Sequence, residues 1–186
     1  MGLQTTALYD KAKKEFVINT PCIEATKWWP GDMGRTANYA LVAARIQVPE
    51  DDGEINDYGL GMFLVQCRNR DTHMLMPGIK AGELGPKLGY TSKDNGWMTF
   101  DHVRISKDMM LQNFMTIDDD GCFELKGDPR SLYIVMLRTR VVCTAFSWLG
   151  LFQAIVVAVR YSIVRRQFKN ISGKKEETQL IDYQTQ

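Results

Sequence analysis

The sequence predicts a multidomain chain of α and β structure, an antiparallel β-barrel or sandwich followed by one long helix. Three observations predict it. From residue 5 to about 116, short apolar runs of strand length are separated by glycine, proline and lysine-rich turns. From Val141 to Val159 there is no charged residue at all. Between these regions Asp118-Asp119-Asp120-Gly121 and Asp128-Pro129 punctuate the chain, the first as a polar turn and the second as a helix N-cap with its first helical residue. The division is therefore set at residue 118, with a β-domain over 1–118 and the start of a helical domain over 119–186. With 186 residues and 45% apolar content, the chain can bury one core and part of another.

Taken in order, Thr5–Tyr9 and Glu15–Asn19 flank a lysine-rich turn and read as a hairpin. Ala37–Val48 is apolar and partly β-branched, a buried strand stopped by Pro49. Glu50–Asp57 is an acidic surface loop, and Tyr58–Cys67 is the next strand. Met76-Pro77-Gly78 and Gly82–Gly89 are read as turns because glycine and proline break any periodicity there. Gly96–Ile105 alternates and is read as one further strand. Gly59-x-Gly61 lies inside a strand with no helix behind it, so it is no nucleotide loop.

The helix is expected from Pro129 to about Lys169, with Gly150 as an interior weak point costing about 1 kcal/mol relative to alanine. The uncharged Val141–Val159 stretch would reach about 28 Å at 1.5 Å per residue, close to the ~30 Å of a bilayer core. An all-apolar helix is either a membrane span or the centre of a helical bundle, and composition leaves both open. Arg140 and Arg165 are 25 residues apart. On a continuous helix they would differ by only about 20° around the axis, one face at opposite ends.

Several function classes are excluded or disfavoured. A net charge of +1, with lysine and arginine scattered, gives no field for nucleic acid. Cys22, Cys67, Cys122 and Cys143 lie far apart with no C-x-x-C pair, which suits a reducing compartment and small core residues rather than disulfides or zinc. His73 and His102 have neither metal-ligand spacing nor a serine motif beside them and read as surface or structural residues. The Asp118–Gly121 run lacks the remaining ligands of a calcium loop. No metal site is expected. Lys174-Lys175 beside Glu176-Glu177 reads as a solvated loop.

Two segments carry chemistry. Lys27-Trp28-Trp29-Pro30-Gly31 sets a large flat apolar surface beside a backbone that turns sharply. That suits either a hairpin with aromatic core residues or a planar aromatic ligand. RYSIVRRQFKN, from Arg160, is followed after a charged stretch by LIDYQTQ. Arg160, Arg165, Arg166 and Lys169 would crowd the negative end of the helix, with Tyr183, Gln184 and Gln186 after the polar loop adding neutral donors and acceptors.

These spellings resemble the acyl-CoA oxidases of the acyl-CoA dehydrogenase superfamily. The likeness extends to Pro77–Ser106, with its K-x-G and F-D-x-V-R-I elements, and to the opening Gly2-Leu3-Gln4-Thr5-Thr6-Ala7. The resemblance implies that residues 1–118 are a middle β-domain binding flavin and acyl-CoA, and that the helix opens a C-terminal bundle, with no membrane span. It implies FAD as cofactor, with Gly31 against the ring and Arg165 at the flavin diphosphate, typically that of a partner subunit in a homodimer. Gln167 and Gln184 match neighbouring cofactor contacts, and Arg140 matches a contact to the CoA part of the substrate. Asp32 stands where a second glycine is usual, Ser106 where a proline is, and Leu137 where an aspartate is usual in the wider superfamily, although the oxidases tend to be apolar there.

The implied reaction is α,β-dehydrogenation of a fatty acyl-CoA to the trans-2-enoyl-CoA, with oxygen reduced to hydrogen peroxide, the first step of peroxisomal fatty acid β-oxidation. The catalytic glutamate of the family is expected beyond Gln186, so no catalytic residue is assigned, and the chain is expected to be an inactive internal fragment. A peroxisomal location is implied by the resemblance alone, since Gln184-Thr185-Gln186 is no peroxisomal address. Two other readings stand beside it: a dehydrogenase passing electrons to a carrier protein, and a non-catalytic binding module anchored by the apolar helix.

Overall fold

The computed structural model describes residues 2–50, 52–169 and 176–184. Contacts divide the chain into two compact units, Met1–Pro129 and Arg130–Gln186. The first unit runs on past the Asp118–Gly121 turn for a local reason. Strands β9 (Met115–Ile117) and β10 (Phe123–Leu125) pair across that turn. The Tyr9 hydroxyl donates to the carbonyls of Asp118 and Asp119 at 3.1 and 3.3 Å, tying the turn to the main sheet.

The main sheet has five strands in the order β5-β4-β1-β2-β8. They are β1 (Thr6–Asp10), β2 (Glu15–Asn19), β4 (Tyr39–Pro49), β5 (Ile55–Gln66) and β8 (Val103–Ser106). The expected hairpin of β1 and β2 is present, with Leu8 opposite Val17. The acidic loop is shorter than expected, because β5 begins at Ile55. Every pairing is antiparallel except β1 with β4, where Thr6 sits beside Arg45 in parallel. Along β1, β2 and β4 burial alternates residue by residue, as the period of two requires for a sheet with one face on the core.

The sheet curls on itself. Phe16 of β2 and Phe63 of β5 lie well apart in the strand order, yet their rings meet edge to face at 4.9 Å. After β8 the chain reaches back to the other edge, where Leu111 N–H donates to the Met62 carbonyl at 2.8 Å. Tyr9, Phe16, Ile18, Ile46, Phe63 and Val65 fill the interior. Each such side chain contributes about 1.5–3 kcal/mol by leaving water.

A second sheet orders β3 (Lys27–Gly31), β7 (Asn95–Phe100) and β6 (Ile79–Glu83). Its Met98 reaches the first sheet, with Sδ 3.5 Å from Cys67 Sγ. Two expectations fail here. Gly96–Ile105 is not one strand, because the chain reverses at Asp101-His102, where His102 has φ 50° and Asp101 N–H donates to Gly78 O; β7 and β8 then join different sheets. Gly82 is a strand residue rather than a turn, since the indole of Trp97 lies over it and a Cβ there would come within 2.7 Å of Trp97 Nε1.

The chain enters the second unit through a short 3₁₀ helix, Pro129–Tyr133, followed by α1 (Ile134–Val164). None of the helix is buried, and Ile134, Val135, Met136 and Leu137 are all exposed in succession. The hydroxyls of Thr139, Thr144, Ser147 and Ser162 donate back to carbonyls three or four residues earlier. Its surface hydroxyls are thereby satisfied within the helix. The helix stops at Val164, not at Lys169. Arg165 takes an extended ψ of 125°, and Arg166–Lys169 (β11) pairs with Glu177–Gln179 (β12).

Of the four cysteines only Cys67 is a core residue; burial pushes its thiol up to about 11. Cys22 and Cys122 sit in loops and Cys143 on the uncovered helix, so all three are exposed. Lys174-Lys175 and Gln186 lie outside the described residues.

Candidate functional site

The β3 end departs from regular strand geometry for reasons visible in its neighbours. Trp28 pairs with Trp97 and Gly31 with Asn95, so two residues of β3 oppose one of β7 in a bulge. Trp29 adopts φ 81° and Asp32 φ 64°, both left-handed, an uncommon place for a bulky side chain. Asn95, itself buried, fills the gap by donating Nδ2–H to Trp29 O at 3.0 Å. The bulge turns both indoles outward: Trp28 is 64% exposed and Trp29 55%, so neither is a core aromatic. Gly31 is exposed beside them, and a Cβ there would crowd Lys93 Cε at 3.1 Å. Lys27 at the start of the strand points the other way. It donates to Ala43 O at 2.7 Å, and burial lowers its ammonium to about 8.

After Gly31 the chain makes a tight turn over residues 32–36. Asp32 N–H donates to Asp94 O at 2.6 Å, and Arg35 N–H to Asp94 Oδ2 at 2.7 Å. Arg68, only 8% exposed, donates Nη2–H to Gly34 O at 2.7 Å. Lys93 pairs with Asp32 at 2.7 Å, and Arg35 with Glu83. Sequence reasoning missed Arg68, Asp94 and Asn95. The Lys93–Gly96 spelling KDNG marks a turn, but nothing in the sequence announces that an arginine after an apolar strand is buried.

The second group of sequence-predicted residues gathers beyond the helix end. Arg165 is the C-cap, its N–H bonded to Tyr161 O and its carbonyl accepting from Leu180 N–H at 2.9 Å. Gln167 lies on β11, where its carbonyl accepts the Tyr183 hydroxyl at 2.6 Å. Gln179 Nε2 donates to Ile163 O at 2.6 Å and satisfies one orphan carbonyl of the last turn. Gln184 follows Tyr183 in a turn and is exposed. Arg165, Gln167 and Gln184 are thus brought to one end of α1.

Arg140 is not brought to them. It lies near the start of the helix, about 36 Å along the axis from Val164. Arg165 keeps a helical φ of -70° and its N–H still bonds Tyr161 O, so its side chain leaves the axis on the face of Arg140, at the opposite end. Only its ψ of 125° turns the following chain away. Neither Arg140 nor Arg165 makes an ion pair among the described residues, and both are exposed. A separate groove of about 590 Å³ lies in the seam between β5 and β8, lined by Tyr39, Leu64, Val103, Ile105 and Met109 among others. It contains none of these candidate residues.

Comparison with known proteins places this geometry. Residues 133–186 match the family described as the acyl-CoA oxidase C-alpha1 domain. Over the whole chain the sequence is 42% identical to peroxisomal acyl-coenzyme A oxidase 1 of Arabidopsis thaliana, covering 28% of that protein. Acyl-CoA oxidase 1 from Yarrowia lipolytica superposes with a TM-score of 0.86 at 39% identity, covering 98% of this chain and 26% of that one. Acyl-CoA oxidase-2 of Caenorhabditis elegans, solved with FAD, ascaroside-CoA and ATP, superposes with a TM-score of 0.84 at 36% identity, covering 99% of this chain and 27% of that one. The class defined is that of mostly antiparallel β-structure leading into a long helix, shared with these enzymes along the whole chain. Along its whole length the chain is similar to acyl-CoA oxidases. It spans about a quarter of the length of the curated relatives it matches.

Proposed function

We propose that this chain is the segment of a peroxisomal acyl-CoA oxidase that carries part of its FAD and acyl-CoA contacts. The observation that carries the reading is the outward-facing end of β3, where the exposed indoles of Trp28 and Trp29 lie beside Gly31, a backbone without a side chain. A planar ring can lie against an exposed indole, and the Gly31 main chain is open to its polar edge. At the far end of α1, Arg165 offers an exposed guanidinium and Gln167 and Gln184 neutral amides, groups that hold a diphosphate and its neighbours. We assign the diphosphate to a second subunit of a homodimer, as the family resemblance implies. Arg140 would meet the CoA part of the substrate, its exposed cation being without an ion pair among the described residues.

A flavin held by Gly31, Arg165, Gln167 and Gln184 across that dimer would supply the hydride acceptor for the substrate and a route for its electrons to oxygen. The part of this chain is to fix the plane against which the substrate α,β bond is aligned. No catalytic base is assigned within it. The test is the visible absorbance of the full-length protein before and after a fatty acyl-CoA is added in air. Flavin bands that bleach and recover with peroxide release support the oxidase. Bands that bleach and stay bleached would replace it with a dehydrogenase using an electron-carrier protein.

One observation favours a second reading, a binding module held at a membrane. Residues Ile134–Val164 form one helix long and apolar enough to cross a bilayer, with a mean hydropathy of 2.0 over its most apolar window. Flavin-free protein that partitions into detergent would support it, and soluble yellow protein would exclude it.

A further inference from the structure

We propose that Arg68 and Asp94 are positioning residues, a clamp that holds the turn after Gly31 in register with the flavin ring; this rests on the flavin reading above. The two side chains grip one peptide unit from opposite ends. Arg68 Nη2–H donates to the Gly34 carbonyl at 2.7 Å. Asp94 Oδ2 accepts the N–H of Arg35, the other half of the same peptide, at 2.7 Å and that of Thr36 at 3.2 Å. A planar peptide held at both its oxygen and its nitrogen cannot rotate without breaking a charge-assisted bond.

The space around that peptide leaves no slack. Gly34 lies so close to β6 that a Cβ would come within 2.9 Å of Glu83 Cα. Gly96 of β7 in turn backs directly onto the Gly34 main chain. The clamp therefore fixes the turn against two strands at once. Upstream, it secures a backbone that is strained at Trp29 and Asp32 and would relax if released.

The clamp is also costly, which argues against its being ordinary turn chemistry. Arg68 is buried without an ion pair among the described residues, and its Nε has no hydrogen-bond partner among them. Asp94 Oδ1 is buried and unsatisfied in the same way. Surface turns are commonly held by backbone bonds and exposed side chains. A buried guanidinium with unused donors is a demanding way to hold one. What distinguishes this turn is the exposed Gly31 and tryptophan pair that it terminates. Fixing their position to a fraction of an ångström is what a ring-binding surface requires.

The experiment uses the full-length protein and four variants, Asp94→Ala, Asp94→Asn, Arg68→Met and Arg68→Lys. Readouts are the dissociation constant for FAD, the shape of the flavin visible band, melting temperature, and amide exchange at Arg35 and Thr36 in the flavin-free protein. Asp94→Ala and Arg68→Met are expected to weaken FAD at least tenfold, blur the band and speed exchange at both amides. Asp94→Asn keeps an acceptor and Arg68→Lys keeps a cationic donor, so both should recover most of the affinity. A fall in melting temperature in all four with unchanged FAD affinity assigns the pair to stability alone and overturns the proposal. So does faster exchange with an unchanged flavin spectrum, or an asparagine variant as weak as the alanine one. Wild-type protein that binds no flavin fails the functional reading itself, before any variant is compared.

Discussion

The two units of this chain follow opposite rules for apolar residues. In the first, Phe16 and Phe63 are fully buried and in ring contact. In the second, Phe146, Trp148 and Phe152 are as apolar and stay exposed on a helix that buries nothing. One unit contains the partners of its own side chains, while the other leaves its apolar side chains uncovered. Sheet formation explains part of this. A curled five-stranded sheet encloses its inner face within a hundred-odd residues, but a single helix cannot cover itself.

The largest effect expected from this difference appears when the units are separated. Residues 1–129 alone should unfold cooperatively in urea, whereas residues 130–186 alone should aggregate or need detergent to stay in solution. Circular dichroism and sedimentation of the two pieces check this, and a soluble, monomeric helical piece would break the comparison. A finer version uses one residue type in both units. Phe63→Ala should cost about 3–5 kcal/mol by leaving a cavity. Phe152→Ala in the isolated chain should stay within about 0.5 kcal/mol, as surface substitutions do. Repeating Phe152→Ala in the full-length protein sharpens the point, since a cost there of about 3 kcal/mol or more would show that other parts of that protein cover this helix.

How much of this was legible follows from the same contrast. The strands β1, β2, β4 and β5 could be read because each is a largely apolar run of strand length bounded by a turn or a proline, whereas the one-faced burial of β4 emerges only in the fold. β6 was hidden because Gly82 looks like a turn until Trp97 is laid over it. The reversal at Asp101-His102 was hidden because His102 takes a left-handed φ without being glycine. At the helix end, a run of arginines suits a helix as well as a strand, and only pairing with Glu177–Gln179 decides it. The candidate site divides similarly. Gly31 and the tryptophan pair carry a recognisable spelling, whereas Arg68 and Asp94 act through burial and a shared peptide, which no local pattern records.

A smaller effect is expected where α1 ends. Gln179→Ala removes the side-chain bond to the Ile163 carbonyl. With that carbonyl exposed to water, the loss should be about 0.5–1 kcal/mol. Amide exchange should quicken in the last helical turn while the first unit is unchanged, and slowed or unaltered exchange there would remove Gln179 from the cap.

The smallest effect concerns the latch that joins the Asp118–Gly121 turn to the main sheet. Asp119 accepts hydrogen bonds from Lys107 and, at 2.5 Å, from Lys14, and these two hold its carboxyl down at about 2, from an ordinary value of 3.8. A carboxyl depressed on folding contributes stability that is complete above its unfolded value. That contribution is lost as the pH falls from about 4 through about 2. The two lysines are shifted upward by the same carboxylate, so their share persists below the ordinary lysine value of 10.5 and is lost only at strongly alkaline pH. All three groups lie near solvent, where screening keeps the gain small. Asp119→Asn should therefore melt slightly below wild type at about pH 6, with the gap closing as the pH approaches about 2. A gap that stays constant across that range would place the contribution of Asp119 in packing rather than charge. The latch would then rest on that packing together with the Tyr9 hydroxyl.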